Sequence, residues 1–366
     1  MILLEQVVAG MLENGIGATV KHFPCGGAEE MDGHICPADV DISHEEWDRT
    51  LGYVYRHLIR TGVPAFMTTH QTFAAAQTPD ENGEYEICTI SKELTTDLLK
   101  NQLGFKGVVV SDALVMGGFA GENSAQKMID CFTAGTDILL WPPVEYIDEL
   151  EKRILSGAVP MERLEDALSR IWKLKENLGL FNHQKEEDFN LKFVEDASTR
   201  LGQSCITLVN NKSNRIPFDK EKIKKLLIVG ITPDDNDFTK FSELVYAFEK
   251  RGIEAELRRD IWLDDLTPDI QKQYDLLIFA MCRLPHHPVG CLDMYGNNAN
   301  SLWTAHTCDT SKMLPVSFGS PFSYKYFFKD DMYINAYSPS SDVMESFVAA
   351  ILGEIPFKGT SPVKLR

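Results

Sequence analysis

Two short stretches and one further histidine hold most of the chemistry this sequence can offer. The first stretch reads Lys21-His-Phe-Pro-Cys-Gly-Gly27 and runs on to Asp32-Gly-His34. Asp32 and His34 stand two residues apart, so in an extended loop they project to one side. A carboxylate there fixes the tautomer of an imidazole and raises its proton affinity, and such a pair can give and take a proton near neutral pH. The second stretch reads Val108-Val-Val-Ser-Asp112-Ala-Leu-Val-Met116. An aspartate closing a buried apolar run costs desolvation energy unless it has partners or a function; it either caps the next turn or works. His70 closes a third apolar run, Val63-Pro-Ala-Phe-Met-Thr-Thr-His70, as a satisfied core histidine or as a site residue. Lys21 and His22 read equally as strand-end surface residues or as ligand contacts.

The elements that must position these residues alternate. Gly17–Pro24, Val63–His70, Gly107–Asp112 and Thr136–Pro142 are mostly apolar runs, as expected for strands covered on both faces. Helical patterns fill the gaps. Ser43-His-Glu-Glu46 reads as a capping box ahead of Trp47, Leu51, Val54, Tyr55 and Leu58. Ser91 can cap a helix through Leu94, Leu98, Leu99 and Leu103, with Gly104 at its end. Tyr146–Leu155 and Pro160–Leu178 follow. Strands alternating with crossover helices predict an α/β fold, in which active sites sit at the carboxyl ends of the strands. After a charged stretch at 181–199, the segments 225–230, 274–280, 314–319 and 332–337 read as strands, and 241–250 and 342–352 as helices. This is a doubly wound pattern. Gly230 begins no G-x-G-x-x-G motif, so no dinucleotide site is predicted.

Composition narrows the partners. The chain has 366 residues, with 36 basic and 54 acidic side chains and a net charge of −18. Nucleic-acid binding needs clustered Lys and Arg and is not expected; a neutral sugar is compatible. No apolar run reaches the ~18 residues that span a bilayer, so no membrane partner is expected. The opening Met1-Ile-Leu-Leu-Glu5 lacks the basic start of a secretory signal. Eight cysteines (25, 36, 88, 131, 205, 282, 291 and 308) include no C-x-x-C pair, which predicts reduced thiols, a cytoplasmic location and no structural metal.

Taken together, the motifs resemble glycoside hydrolase family 3, and most closely its β-N-acetylglucosaminidase (β-hexosaminidase) branch. That branch carries K-H-F-P-G-H-G-x-x-x-x-D-S/T-H, and here Lys21, His22, Phe23, Pro24, Gly27, Asp32 and His34 fall in step with it. The family's nucleophile motif S-D-x-L-x-M corresponds to Ser111-Asp112-Ala-Leu-Val-Met116. Phe66-Met-Thr-Thr-His70 resembles the branch's M-T-A-H strand, and Ala134-Gly-Thr-Asp-Ile-Leu-Leu140 its last barrel strand. Val316–Pro362 resembles the second domain of longer members.

The resemblance implies a retaining hydrolase of β-linked N-acetylglucosamine. Asp112 is then the nucleophile, His34 the acid/base and Asp32 the residue that polarises it. Lys21 and His22 contact sugar hydroxyls, with His70 a further candidate. No cofactor or metal is implied. The substrates implied are N-acetylglucosamine oligosaccharides or peptidoglycan fragments.

Two motif positions depart. Cys25-Gly26-Gly27 replaces G-H-G, so the second histidine is absent, and Gly33 replaces Ser or Thr, which predicts a looser dyad loop. Length departs as well. A complete (β/α)8 barrel takes about 250 residues, whereas 1–180 holds four β/α units that match its second half. The expected architecture is therefore the C-terminal half of a TIM barrel at 1–180, a linker at 181–199 and an α/β sandwich domain at 200–366. A half-barrel exposes apolar edges and part of its core. That predicts a fragment, a truncated gene model or a second chain completing the barrel.

Three other readings stand beside this one. The first is a non-catalytic family remnant. The second is a glycosidase of the same branch that passes the sugar to phosphate. The third is a metal-dependent barrel hydrolase using His22, His70 and Asp112.

Overall fold

The structure, a computed structural model, describes residues 2–29, 31–121, 123–182, 190–284 and 294–365. It divides into two compact units, Met1–Glu186 and Glu187–Arg366.

The first unit is built on four parallel strands, β1 (Thr19–Phe23), β2 (Ala65–Thr68), β3 (Val108–Ala113) and β4 (Ile138–Leu140), in the order β1-β2-β3-β4. Sequential parallel order with helical crossovers is the β/α repeat of a barrel. Four such units are described, half the complement of a complete barrel. Successive strand residues alternate between two apolar layers. Phe23, Phe66 and Val109 pack with Tyr55, Leu58, Leu94 and Phe105. Ala65, Val108 and Val110 pack with Ile171 and Leu174 of the helix Met161–Asn177. Both faces of the sheet are therefore clothed, and the open face expected of a half-barrel is partly covered.

Local rules account for the crossovers. Ser43 Oγ accepts from the Glu46 N–H at 3.1 Å and starts His44–Arg49. The single helix expected beyond it breaks at Thr50, and a second helix runs Leu51–Arg60. The segment after Ser91 winds as a wide π-type helix, Glu93–Gln102, and Gly104 follows with a φ of +73° that glycine adopts without strain. Asp137, at the start of β4, has a fully enclosed side chain. It accepts from Lys100 Nζ at 3.0 Å, Arg163 Nη2 at 2.7 Å and the Val109 N–H at 2.8 Å. One carboxylate thus ties the π-type helix, β3 and Met161–Asn177 together.

The second unit holds β5 (Thr207–Asn211), β6 (Lys225–Ile231), β7 (Glu254–Arg259), β8 (Leu276–Met281), β9 (Met313–Ser317) and β10 (Met332–Asn335). Their order is β5-β10-β9-β8-β6-β7, with only β5 antiparallel. Helices Ser242–Glu249 and Ser341–Ile351 pack on one face and Gly296–Ala305 on the other, as in doubly wound folds. Gly230 is a packing glycine: a Cβ there would lie 2.8 Å from the Phe238 ring. The helix Leu191–Cys205 belongs to this unit, where Thr199 Oγ1 donates to Asp342 at 3.0 Å. The unit therefore begins before the expected boundary at 200. The charged run Lys185–Asp188 and Cys291 lie outside the described residues, and the seven described cysteines are free thiols. Among the described residues no helix is long and apolar enough to cross a membrane.

Candidate active site

The residues singled out by the sequence gather at the carboxyl ends of β1, β2 and β3. The exit of β1 is fixed from outside the sheet. Tyr55 Oη donates to the His22 carbonyl at 2.8 Å and Trp47 Nε1 to the Pro24 carbonyl at 2.9 Å. Both bonds come from the helical crossover and hold the Lys21–Pro24 backbone in place; no motif in the sequence marked either residue for this role. Gly26 closes the turn by donating its N–H to the same His22 carbonyl at 2.9 Å. A Cβ on Gly26 would stand 2.9 Å from both the His22 nitrogen and oxygen. The position where the family motif has histidine therefore has no room for a side chain without a backbone shift. Cys25 beside it is buried, and desolvation pushes its thiol far up, so it is a packing residue rather than a nucleophile.

His22 and Asp112 meet across the sheet. His22 Nε2 lies 3.3 Å from Asp112 Oδ2, with side-chain exposures of 33% and 15%. Burial lowers the His22 pKa below its ordinary 6.5, against the pull of Asp112 upward, so the ring is neutral at neutral pH. The other Asp112 oxygen, Oδ1, accepts the Ala113 N–H at 2.8 Å. Asp112 thus presents one oxygen toward His22, while the other is held by its own strand. Ser111, buried beside it, accepts the Leu140 N–H at 2.9 Å and locks β3 to β4. Lys21 is exposed midway along β1 and near enough to depress the His22 pKa by charge.

Asp32 and His34 form the pair their spacing suggested. Asp32 Oδ1 contacts His34 Nδ1 at 2.7 Å and also accepts the His34 N–H at 2.9 Å. The carboxylate therefore fixes Nδ1 as a protonated nitrogen. The His34 side chain is 53% exposed. A Cβ on Gly33 would meet Met116 Cε at 3.7 Å, an ordinary contact, and Gly33 has no positive φ. Gly33→Ser is expected to fold with stability within about 1 kcal/mol of the parent, as thermal unfolding would show; a larger loss would contradict this geometry.

His70 is placed differently from Lys21 and His22. It is fully enclosed, with Nδ1 2.8 Å from Thr89 Oγ1 and Nε2 3.1 Å from the Ala113 carbonyl. A carbonyl only accepts, so Nε2 carries the proton and donates. Both ring nitrogens are spent on protein partners. The geometry places His70 as a support for the end of β3 rather than as a sugar contact, and takes it out of the metal set His22, His70 and Asp112. Among the described residues no group of His, Cys, Asp and Glu side chains is arranged to hold a metal.

Burial depresses both His22 and His70. Below the ordinary value of 6.5, the unfolded chain therefore takes up protons that the folded one refuses, and stability falls with falling pH. Urea midpoints should drop between about pH 7.5 and 5.5, and His70→Asn should flatten that slope. An unchanged slope in His70→Asn would contradict its enclosure.

Comparison with known proteins gives this chain's similarities. The model of the glycosyl hydrolase family 3 N terminal domain matches residues 2–174. A Beta-N-acetylglucosaminidase/beta-glucosidase of Cellulomonas fimi is 28% identical over 386 residues, covering 98% of this chain and 68% of that protein. Beta-hexosaminidase A of Pseudoalteromonas piscicida is 29% identical over 308 residues, covering 75% of this chain and 49% of that protein. The solved family 3 beta-N-acetylglucosaminidase from Paenibacillus sp. str. FPU-7 shares the fold with a TM-score of 0.79 at 22% identity, over 99% of this chain and 70% of that one. A beta-glucoside phosphorylase does so at 0.82 and 22%, over 99% and 68%. Residues 2–174 thus match the glycosyl hydrolase family 3 N terminal domain, and these relatives resemble the chain over most of its length.

Proposed function

We propose that this chain carries the catalytic residues of a retaining β-N-acetylglucosaminidase. The observation that bears most weight is Asp32 gripping His34 through both Nδ1 and its N–H. That arrangement makes an imidazole, rather than a carboxylic acid, the proton carrier. A histidine placed near a carboxylate nucleophile repels it less than a second carboxylate would.

In the first step an Asp112 oxygen attacks the anomeric carbon, the glycosidic C–O bond breaks, and His34 Nε2 gives its proton to the leaving oxygen. In the second, His34 takes a proton from water, the water oxygen attacks the same carbon, and the Asp112 carboxylate is released. Two inversions give net retention. Lys21 and His22 bind sugar hydroxyls beside the nucleophile.

The names of the two relatives support the 2-acetamido sugar. β-Glucosidase names also occur among the matches, so sugar preference is the sharper test. Kinetics with 4-nitrophenyl β-N-acetylglucosaminide and β-glucoside should show the higher kcat/KM for the acetamido sugar. The reverse preference would overturn the substrate assignment. Running the assay with and without phosphate separates transfer to water from transfer to phosphate, and the reading here predicts free N-acetylglucosamine in both.

A further inference from the structure

The turn that follows the nucleophile strand is also the bed on which the dyad loop lies. The Gly117 N–H donates to the His34 carbonyl at 2.9 Å, and the Gly118 N–H donates to the Gly33 carbonyl at 3.0 Å. Two main-chain bonds therefore pin the backbone on both sides of the His34 amide. The approach is closer than any side chain permits. A Cβ on Gly117 would lie 2.2 Å from the Ile35 oxygen and 3.0 Å from the His34 oxygen. A Cβ on Gly118 would lie 2.6 Å from the Gly33 oxygen and 3.0 Å from His70 Cβ. Neither glycine has a positive φ, so it is space, not backbone conformation, that each position demands.

The same turn is tied to the nucleophile. It starts at Ala113, whose N–H holds Asp112 Oδ1 and whose carbonyl accepts both His70 Nε2 and the Met116 N–H. The path from Asp112 to His34 is thus continuous: Asp112, the 113–118 turn, two glycine amides, the dyad loop. His70 is wedged beneath it, between Thr89, Ala113 and Gly118.

We infer that Gly117 and Gly118 are positioning residues that set the placement of the His34 acid/base relative to Asp112, with His70 bracing the turn. They touch no reacting atom and act through His34. The inference rests on the roles proposed for Asp112 and His34. It also explains how a loop carrying Gly33 in place of a stiffer residue keeps its place: the rigidity is supplied from the neighbouring turn.

A defect that acts through the acid/base should matter most where the leaving group needs a proton. In Gly118→Ala, kcat/KM for a phenyl β-N-acetylglucosaminide is expected to fall about 100-fold. For the 2,4-dinitrophenyl glycoside, which leaves unprotonated, it should stay within about threefold. In a His34→Ala background, Gly118→Ala should add no further loss. Equal losses on both substrates, additive with His34→Ala, would overturn the inference and leave the dyad assignment standing. A His34→Ala variant whose loss ignores the leaving group would overturn the dyad assignment itself, and the inference with it. Should Gly118→Ala fail to fold, hydrogen exchange in the parent chain decides. The Gly117 and Gly118 amides should exchange slowly and together, and fast exchange at both would overturn the docking.

Discussion

Asp112→Ala is expected to reduce turnover of an aryl β-N-acetylglucosaminide on the order of 1,000-fold or more. Asp112 ends β3 where an apolar strand meets the opening, with one oxygen held by the Ala113 N–H and the other facing His22. The stereochemistry of rescue identifies which residue has been lost. With Asp112 removed, added azide should attack the sugar directly and give the inverted α-glycosyl azide. With His34→Ala, the covalent intermediate still forms from an activated substrate, and azide then gives the retained β-azide. Parental turnover in Asp112→Ala, or a β-azide from it, would contradict the nucleophile assignment.

Asp137→Ala is expected to be the most destabilising single change in the first unit, by about 3–5 kcal/mol, and to lower its melting temperature by roughly 10 °C. The side chain is wholly enclosed, and its partners Lys100 and Arg163 are 6% and 11% exposed. Burial already pulls the Lys100 pKa down against the attraction of Asp137. Removing the carboxylate would leave two cations close together, and the Val109 N–H without its side-chain acceptor. Asp166, which bonds Lys100, Arg163 and Arg170 from a 43% exposed position, is screened by water. Asp166→Ala should therefore cost about 1 kcal/mol or less. Calorimetry of both variants checks the ranking, and equal losses would contradict the account of Asp137 as the hub.

Much of this architecture was legible before any coordinates. The four strands of the first unit announced themselves as apolar runs because both faces are covered. Asp32 and His34 were legible as a pair because spacing alone brings alternate residues of an extended loop to one side. What escaped detection did so for physical reasons. β7 is an edge strand whose Glu254, Glu256 and Arg258 alternate with partly buried neighbours, so it lacks the apolar run of a central strand. β5 is the antiparallel edge, and its Thr-Leu-Val-Asn-Asn sequence is too short and polar to stand out. His70 looked the same as His22, since a polar residue at a strand end reads alike whether it faces a ligand or a carbonyl. Gly117 and Gly118 could not be singled out because a close approach is a property of two segments, and sequence shows one at a time. Asp137 was visible only within a motif; its three donors come from the π-type helix, β3 and Met161–Asn177, and only the fold brings them together.

The central claim is that Asp112 becomes covalently glycosylated. A 5-fluoro-N-acetylglucosaminyl donor with a good leaving group slows both steps and lets the intermediate accumulate. Mass spectrometry of the intact protein should then show a gain of one fluorosugar, and digestion should place it on the peptide containing Asp112. Substrate turnover with no covalent label, or a label on a different residue, would contradict the account.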